Sequence, residues 1–102
     1  MGNRRLQLHD ILCKISGVKK VYFQPPESVK MEYPCIRYVL EGMPAEYAND
    51  RTYRKTNRYM VTVMDKDPDS VIPNEVINLP MCSFDRFYTA DNLNHWVFSL
   101  YY

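Results

Sequence analysis

Three aspartates at alternate positions are the residues of this chain whose spacing most resembles that of a metal-binding motif. Asp65, Asp67 and Asp69 follow an apolar stretch with the spacing of the first ligands in an EF-hand loop. That loop needs glycine at its sixth position and glutamate at its twelfth, where this chain has Ser70 and Val76. Because carboxylates at the end of a strand commonly cap the helix that follows, we expect capping here and no metal.

The histidines and cysteines do not form a second metal motif. His9 and Cys13 are four residues apart, but a zinc site would need two more ligands from Cys35, Cys82 and His95, which are scattered. The three cysteines are odd in number and form no CxxC pair, so we expect reduced thiols of cytosolic origin and no disulfide framework. We expect each cysteine to be a small buried apolar residue and each histidine to be exposed.

No catalytic signature is present in the sequence. The chain contains no GxSxG and no catalytic-cysteine motif, and its three glycines form no phosphate-cradling loop. Twelve acidic residues always offer carboxylate pairs, but spacing alone selects none of them. We therefore expect a protein that is not an enzyme and that needs no cofactor.

A basic cluster interleaved with tyrosines lies between two predicted strands, and we call it the basic hairpin. It suits contact with nucleic acid or with an acidic partner, and it also suits a charged hairpin that discourages edge-to-edge aggregation. The second interpretation is favoured because the cluster has acidic neighbours and matches no named nucleic-acid motif. The formal net charge of +1 names no partner. The basic hairpin contains Arg51, Tyr53, Arg54, Lys55, Arg58 and Tyr59.

The chemistry-bearing residues are arranged around a central strand at 59–64, which is dense in β-branched and aromatic residues. Its two faces carry Tyr59, Val61 and Val63 on one side and three residues, two of them methionines, on the other. Both faces are largely apolar. We therefore expect this strand to be covered on both sides, by other elements or by neighbouring subunits.

Hydrophobic spacing and turn residues predict the other elements. An amphipathic helix is expected at 4–16 with Gly17 as its stop, and a short helix within 69–79. Strands are expected at 18–23 and 34–41, with a polar hairpin leading into the central strand.

The last two predicted strands, 83–90 and 95–102, form a hairpin through a turn at 91–94. This hairpin is aromatic on both faces. Strict alternation along the first of these strands places Phe84 and Phe87 on opposite faces.

Length and composition fit a single domain spanning 1–102. The order of elements predicts an α+β fold, with a mainly antiparallel sheet of about five strands and an N-terminal and a short second helix packed on it. The start lacks the apolar run of a signal peptide, and no stretch approaches the ~20 apolar residues of a membrane span, so we expect a soluble protein. Nine tyrosines suit an interaction protein.

This order of elements resembles the small tail-terminator and tail-completion proteins of long-tailed bacteriophages. The resemblance covers almost the whole chain. It is carried most by the strand-to-helix junction at 59–70 (YMVTVMDKDPDS) and by 83–91 (SFDRFYTAD). Tyr33 and Pro34 opening a strand and the terminal Tyr101 and Tyr102 belong to the same pattern.

The resemblance implies a virion protein, assembled in the host cytoplasm and located at the junction of tail and head. It implies a ring, typically a hexamer, that ends polymerisation of the tail tube and contacts the head connector. A closed ring repeats a heterologous interface, so each subunit needs two different patches. Candidate residues for a subunit interface or for a lumen through which DNA passes are Arg51, Arg54, Lys55, Arg58, Tyr59, Trp96, Phe98 and Tyr101.

Two other classes of function compete with this one. A small nucleic-acid-binding regulatory module would use the basic hairpin and would bind more weakly as salt rises. A metal-dependent enzyme would use Asp65, Asp67 and Asp69, and is the weakest of the three readings. The sequence leaves open whether a tail protein of this kind would cap the tube or bridge the cap and the connector.

Overall fold

A five-stranded sheet and two helices make up most of the described chain. The computed structural model describes residues 4–43, 45–48, 51–55 and 57–102, and for 45–48 and 51–55 it describes the backbone alone. In chain order the elements are α1 (Arg4–Cys13), β1 (Lys20–Phe23), β2 (Cys35–Gly42), β3 (Ala45–Ala48), β4 (Arg51–Lys55), β5 (Arg58–Asp65), α2 (Ile72–Ile77), β6 (Cys82–Ala90) and β7 (Leu93–Tyr101).

The main sheet has the strand order β1, β2, β5, β7, β6. All its neighbouring strands are antiparallel except β1 and β2, which run parallel with Lys20 opposite Cys35. The predicted α+β class, with about five strands and two helices, is confirmed. The parallel pair was not predicted, and it depends on the long connection at 24–34, since parallel strands need a crossover of about a dozen residues.

The basic hairpin is divided between two sheets: its part at Arg51–Lys55 is β4, which pairs with β3 in a second, two-stranded sheet, whereas Arg58 and Tyr59 begin β5 of the main sheet. The pairing is antiparallel, with Ala45 opposite Lys55 and Ala48 opposite Arg51. The polar connection between the second strand and the central strand is therefore a hairpin, as the sequence predicts.

Both helices pack on one face of the main sheet, and the core lies between them. Leu8 and Leu12 of α1 and Ile72 and Val76 of α2 are buried there. Because each pair is separated by four residues, its members lie on one side of their helix. Alternate residues of three strands complete the core, and these are Ile36, Tyr38, Tyr59, Val61, Val63, Phe98 and Leu100.

The ends of both helices follow local chemistry. α1 stops at Cys13, three residues before the predicted end, and the chain then turns to Gly17. Gly17 has a φ of 93°, a conformation that favours glycine, and a Cβ there would lie 3.6 Å from the Ile72 side chain. α2 falls inside the predicted range, with Pro73 in its first turn, where its missing N–H costs nothing.

Strand β5 is buried on both faces over most of its length. Val61 and Val63 face the helices and are fully buried, while Thr62 and Met64 on the other face are 5% and 4% exposed. This agrees with the expectation that a strand apolar on both faces is covered on both. In the described part of the chain, no helix is long and apolar enough to cross a membrane.

Candidate functional site

The edge strand β6 is the most exposed of the strands whose side chains are described. It pairs only with β7, and every side chain from Ser83 to Ala90 is exposed. Phe84, Phe87 and Tyr88 are 53%, 47% and 41% exposed. Exposed patches of large apolar side chains are uncommon on isolated soluble proteins and commonly mark interaction sites. We call the exposed rings of Phe84, Phe87 and Tyr88 the aromatic edge.

A β-bulge shapes the aromatic edge. Phe84 lies opposite Phe98, but the next ladder pair joins Arg86 to Val97, so Asp85 is an extra residue. The extra residue shifts the alternation by one position, and Phe84 and Phe87 therefore lie on the same face. The prediction that they occupy opposite faces is wrong, because strict alternation assumes an unbroken ladder.

Each ring of the aromatic edge lies against a ring of β7. Phe84 meets Phe98 at 5.6 Å between centroids and 71° between planes, and Phe87 meets Trp96 at 5.3 Å. On the opposite face Tyr88 stacks on the His95 imidazole at 4.6 Å and 10°. Cross-strand aromatic pairs of this kind stabilise a sheet and hold each ring in place. The aromatic edge is thus a pre-organised surface.

The predicted interface residues in the sheet separate into two groups. Trp96 and Tyr101 are half-buried and reach the surface, Trp96 beside Phe87. Tyr59 and Phe98 are only 3% and 1% exposed. The structure corrects the expectation for these two, because their rings fill the core beneath the helices and are not presented to a neighbour.

Of the basic hairpin, the side chains of Arg51, Arg54 and Lys55 lie outside the described residues. Arg58 is described, and its Nε donates to Glu41 Oε1 at 3.1 Å. A hydrogen bond with Tyr101, and then the nearby Glu41 carboxylate, raise the pKa of the Arg58 guanidinium. Arg58 therefore lies within a local polar network at the start of β5, where an acidic neighbour offsets its charge.

The aspartates after β5 shape the turn that leads to α2. Asp65 Oδ1 accepts from the Asp67 backbone N–H at 3.0 Å, and Asp67 Oδ1 accepts from that of Asp69 at 2.9 Å. The Asn94 side chain donates to the Asp65 and Lys66 carbonyls, which ties the turn to β7. Within the described ranges, no three or more metal-ligating side chains are grouped closely enough to hold an ion. The geometry assigns these carboxylates to the turn.

The aspartates after β5 do not cap α2, although the sequence predicts that they would. The N-cap residue of α2, Val71, makes no capping hydrogen bond through its side chain, and the Ile72 backbone N–H donates instead to Ser70 Oγ at 3.3 Å. The aspartates act one turn earlier, through hydrogen bonds that Asp and Asn side chains commonly make to backbone two residues on.

His9 is half-buried and hydrogen-bonded, contrary to expectation. Its Nδ1 lies 2.8 Å from the Tyr38 hydroxyl, to which Arg5 donates at 3.2 Å. Burial, and then the Arg5 charge, lower the pKa of His9, while burial raises the pKa of the Tyr38 hydroxyl. A neutral imidazole whose Nδ1 accepts a hydrogen bond from the Tyr38 hydroxyl satisfies both groups. This contact ties α1 to β2.

The cysteines are free thiols in different surroundings. Cys35 is buried, as expected, but Cys82 is half-buried and Cys13 is exposed on α1. Burial raises the pKa of Cys35 to about 12 and that of Cys82 to about 11. Thiols with such raised pKa values are poor nucleophiles at neutral pH, because the thiolate is the reactive form.

Sequence reasoning finds the aromatic C-terminal hairpin but not which of its rings are exposed. The missed residues are Phe84, Phe87 and Tyr88, and their signal is the density of rings on a strand that ends a sheet. Comparison with protein-family models, with curated proteins and with solved structures finds no significant match. The exposed rings of Phe84, Phe87 and Tyr88 offer a contact surface.

Proposed function

We propose that this chain is a structural virion protein that assembles with copies of itself into a ring, six-membered as in the phage tail-terminator and tail-completion proteins that its sequence resembles. In this proposal the ring sits at the head-proximal end of the tail tube. It stops polymerisation of the tube and presents a surface to the head connector. Its partners are other copies of the chain, the tail tube protein and the connector protein.

The observation that carries the proposal is the aromatic edge. Phe84, Phe87 and Tyr88 are each between about two-fifths and about half exposed, although rings of this size are normally buried. Burying them against another protein surface removes apolar area from water, which is the main favourable term in protein association. Aromatic side chains are also enriched at protein interfaces. A self-assembling subunit accounts for a surface that an isolated domain would not retain.

The junction after β5 supports the same proposal. The residues that carry the sequence resemblance at 59–70 form a central strand, a tight aspartate turn and the entry to a short helix. This is the local structure that the resemblance implies. A small domain with one helical layer also has little stability to spare, and ring formation adds buried area to it.

The experiment is the mass of the purified protein by light scattering over a concentration series at two salt concentrations. We expect the mass to rise towards that of six chains of 12.2 kDa, about 73 kDa. Replacing both Phe84 and Phe87 by serine should move this transition to at least about tenfold higher concentration, since buried aromatic anchors dominate most interfaces. Val71→Ser is the matched control, because Val71 is an exposed apolar residue, 63% exposed, outside the aromatic edge.

The role at the tail is tested by electron microscopy of tail tubes mixed with the protein. We expect density at one end of each tube and an arrest of tube growth. A protein that leaves the tubes unchanged, remains monomeric and binds nucleic acid with an affinity that falls steeply with salt would contradict the proposal. That result would favour the small nucleic-acid-binding module instead.

A further inference from the structure

A pocket of about 230 Å³ lies between α1, the connection after α2 and the end of β7. Its walls are apolar side chains from all three segments. The pocket is distinct from the aromatic edge, whose rings do not line it. Leu8, Ile11, Leu79, Met81 and Leu100 lie in the walls, and Arg4 and Tyr102 also belong to the lining.

The size and lining of the pocket suit an aromatic ring. A cavity of about 150 Å³ is large enough to hold benzene, so an open pocket of about 230 Å³ has room for the side chain of a phenylalanine. Most of the lining is apolar, with polar groups only from Arg4, Tyr101 and Tyr102, and a buried polar group without a hydrogen bond is unfavourable. The pocket is therefore suited to an apolar side chain.

Phe87 is the ring of the aromatic edge that is best placed to enter a pocket on another molecule. Phe84 lies opposite Phe98, two residues from Leu100 of the pocket wall, and so it is only about 7 Å along the strand from the pocket of its own chain. Phe87 lies opposite Trp96, four residues from Leu100. At about 3.3 Å per residue along a strand, this separates Phe87 from its own pocket by about 13 Å.

Charge supports the same pairing. Arg4 is exposed at the pocket with its guanidinium over the Tyr102 ring at 4.7 Å, and no described carboxylate forms an ion pair with it. Asp85 is exposed on the bulge, two residues before Phe87, and contacts Arg86 beside it in the chain. A neighbouring molecule that offers its Phe87 to the pocket would thus carry an exposed acidic residue two positions from the inserted ring, while the pocket carries the positive charge of Arg4.

We infer that the pocket receives Phe87 from a second copy of this chain, so that the aromatic edge and the pocket are the two unlike patches of one head-to-tail interface. This inference rests on the self-assembly put forward above as the function. A side chain of one molecule inserted into a preformed pocket of the next is a recurring form of heterologous contact. It supplies the second patch that a closed ring requires and that the aromatic edge alone does not.

The test uses two variants that each remove one side of the contact. Phe87→Ser removes the ring, and Ile11→Trp fills the pocket from a half-buried position on α1. Each variant alone should associate about 30-fold more weakly than the wild type, the effect of losing one dominant interface side chain. Circular dichroism and urea unfolding of each variant establish that it is folded.

Mixing the two variants in equal amounts gives the decisive result. The pocket of Phe87→Ser and the ring of Ile11→Trp are both intact, so the mixture should form a complex of two chains and nothing larger. Sedimentation velocity measures this directly. A mixture that stays monomeric while the wild type assembles overturns the inference.

A charge exchange tests the same contact without changing the pocket. Arg4→Glu and Asp85→Lys should each weaken association about two- to fivefold, as expected for an exposed ion pair, and the double variant should restore it. Failure of the double variant to recover counts against the pairing.

The results also separate this inference from the function on which it rests. If Ile11→Trp assembles like the wild type while the double serine variant does not, the aromatic edge binds elsewhere, so self-assembly stands and the pocket is excluded. A wild type that stays monomeric at every concentration overturns the pairing. The role at the tail is then decided by the tail tubes alone.

Discussion

Strands β5 and β6 are of nearly equal length, eight and nine residues, and are separated in the sheet by β7 alone. Yet β5 is the most buried strand and β6 the most exposed among those whose side chains are described. Both strands carry large apolar side chains. The two facing phenylalanines show the contrast most sharply, since Phe98 is 1% exposed and Phe84, packed edge-on against it, is 53% exposed.

This difference shows that the position of a strand in the sheet decides whether its aromatic side chains are buried or exposed. The helices bury residues of β2, β5 and β7, and of β6 only its first residue, the half-buried Cys82, packs against that core. A ring on a covered strand contributes to stability, and the same kind of ring one strand further out keeps about half of its surface in water. The contrast can be tested by comparing residues in the covered strands with matching residues in β6.

The largest expected difference is in thiol reactivity. Cys35 is buried on β2 beside β5, whereas Cys82 is half-buried at the start of β6. Cys35 should react with an alkylating reagent only when the sheet opens, at least about a thousandfold more slowly than the exposed Cys13, with Cys82 between them. Mass spectrometry of the labelled peptides over time gives the three rates.

In denaturant the three thiols should react at similar rates, which provides the control. A Cys35 that reacts as fast as Cys82 under native conditions would show that the centre of the sheet opens as easily as its edge.

The next largest effect is on stability. Phe98→Ala should lower the free energy of unfolding by about 3–5 kcal/mol, because it leaves a cavity in the core. Phe84→Ala should cost about 1 kcal/mol or less, since half of its ring is in water already. Urea unfolding of both variants at a concentration where the protein is monomeric measures the pair. Equal losses would contradict the division between a covered core and an open edge.

A smaller effect appears at alkaline pH. Burial raises the pKa of the Cys35 thiol from 9.0 to about 12, so the unfolded chain ionises there first. The thiol's contribution to stability is complete below pH 9.0 and is lost as pH rises towards about 12. Above pH 9.0, the free energy of unfolding should fall with pH more steeply in the wild type than in Cys35→Ala. The difference in slope should correspond to the release of up to about one proton on unfolding.

The control for this slope is Cys82→Ala. The pKa of Cys82 is raised to about 11, so its own window is narrower. Urea unfolding across the alkaline range compares the three proteins. If Cys35→Ala loses stability as steeply as the wild type, the buried thiol does not titrate as its surroundings require.

The smallest change in stability is expected on removing the bulge. Deleting Asp85 leaves an unbroken ladder between β6 and β7, with Phe84 and Phe87 still paired to the same residues. We expect the monomer to unfold within about 1 kcal/mol of the wild type but to aggregate faster, because bulges and charges protect exposed edges. Turbidity over time measures this, with Asp85→Asn as the control that keeps the bulge.

Most elements could be predicted from the sequence because their ends carry strong local signals. The second strand was expected at 34–41 and is Cys35–Gly42, and the central strand was expected at 59–64 and is Arg58–Asp65. Glycine and aspartate mark these ends by their own backbone preferences. The parallel pairing of β1 depends on contacts between distant segments and leaves no such local signal.

The candidate site was predicted only in part. The alternation of rings identifies 83–90 and 95–102 as an aromatic hairpin, but it carries no information on strand order, and strand order decides that Phe98 is core and Phe84 is surface. The bulge at Asp85 was missed because a single extra residue leaves no clear pattern in the sequence, where only the charged pair Asp85 and Arg86 interrupts the rings. The basic hairpin contributes no described side chain other than Arg58 and Tyr59 to this comparison.

The turn between β6 and β7 has a consequence for the order in which the chain folds. Asp91 and Asn92 both have positive φ, 54° and 63°, and they join Ala90 directly to its partner Leu93. Such two-residue hairpins close in about 1–10 μs. Asp65 and Asn94, which pair between β5 and β7, are instead 29 residues apart in the chain. Closing this longer loop costs more conformational entropy. The strand that stays uncovered in the finished monomer thus belongs to the part of the sheet that can form first, before β5 reaches it.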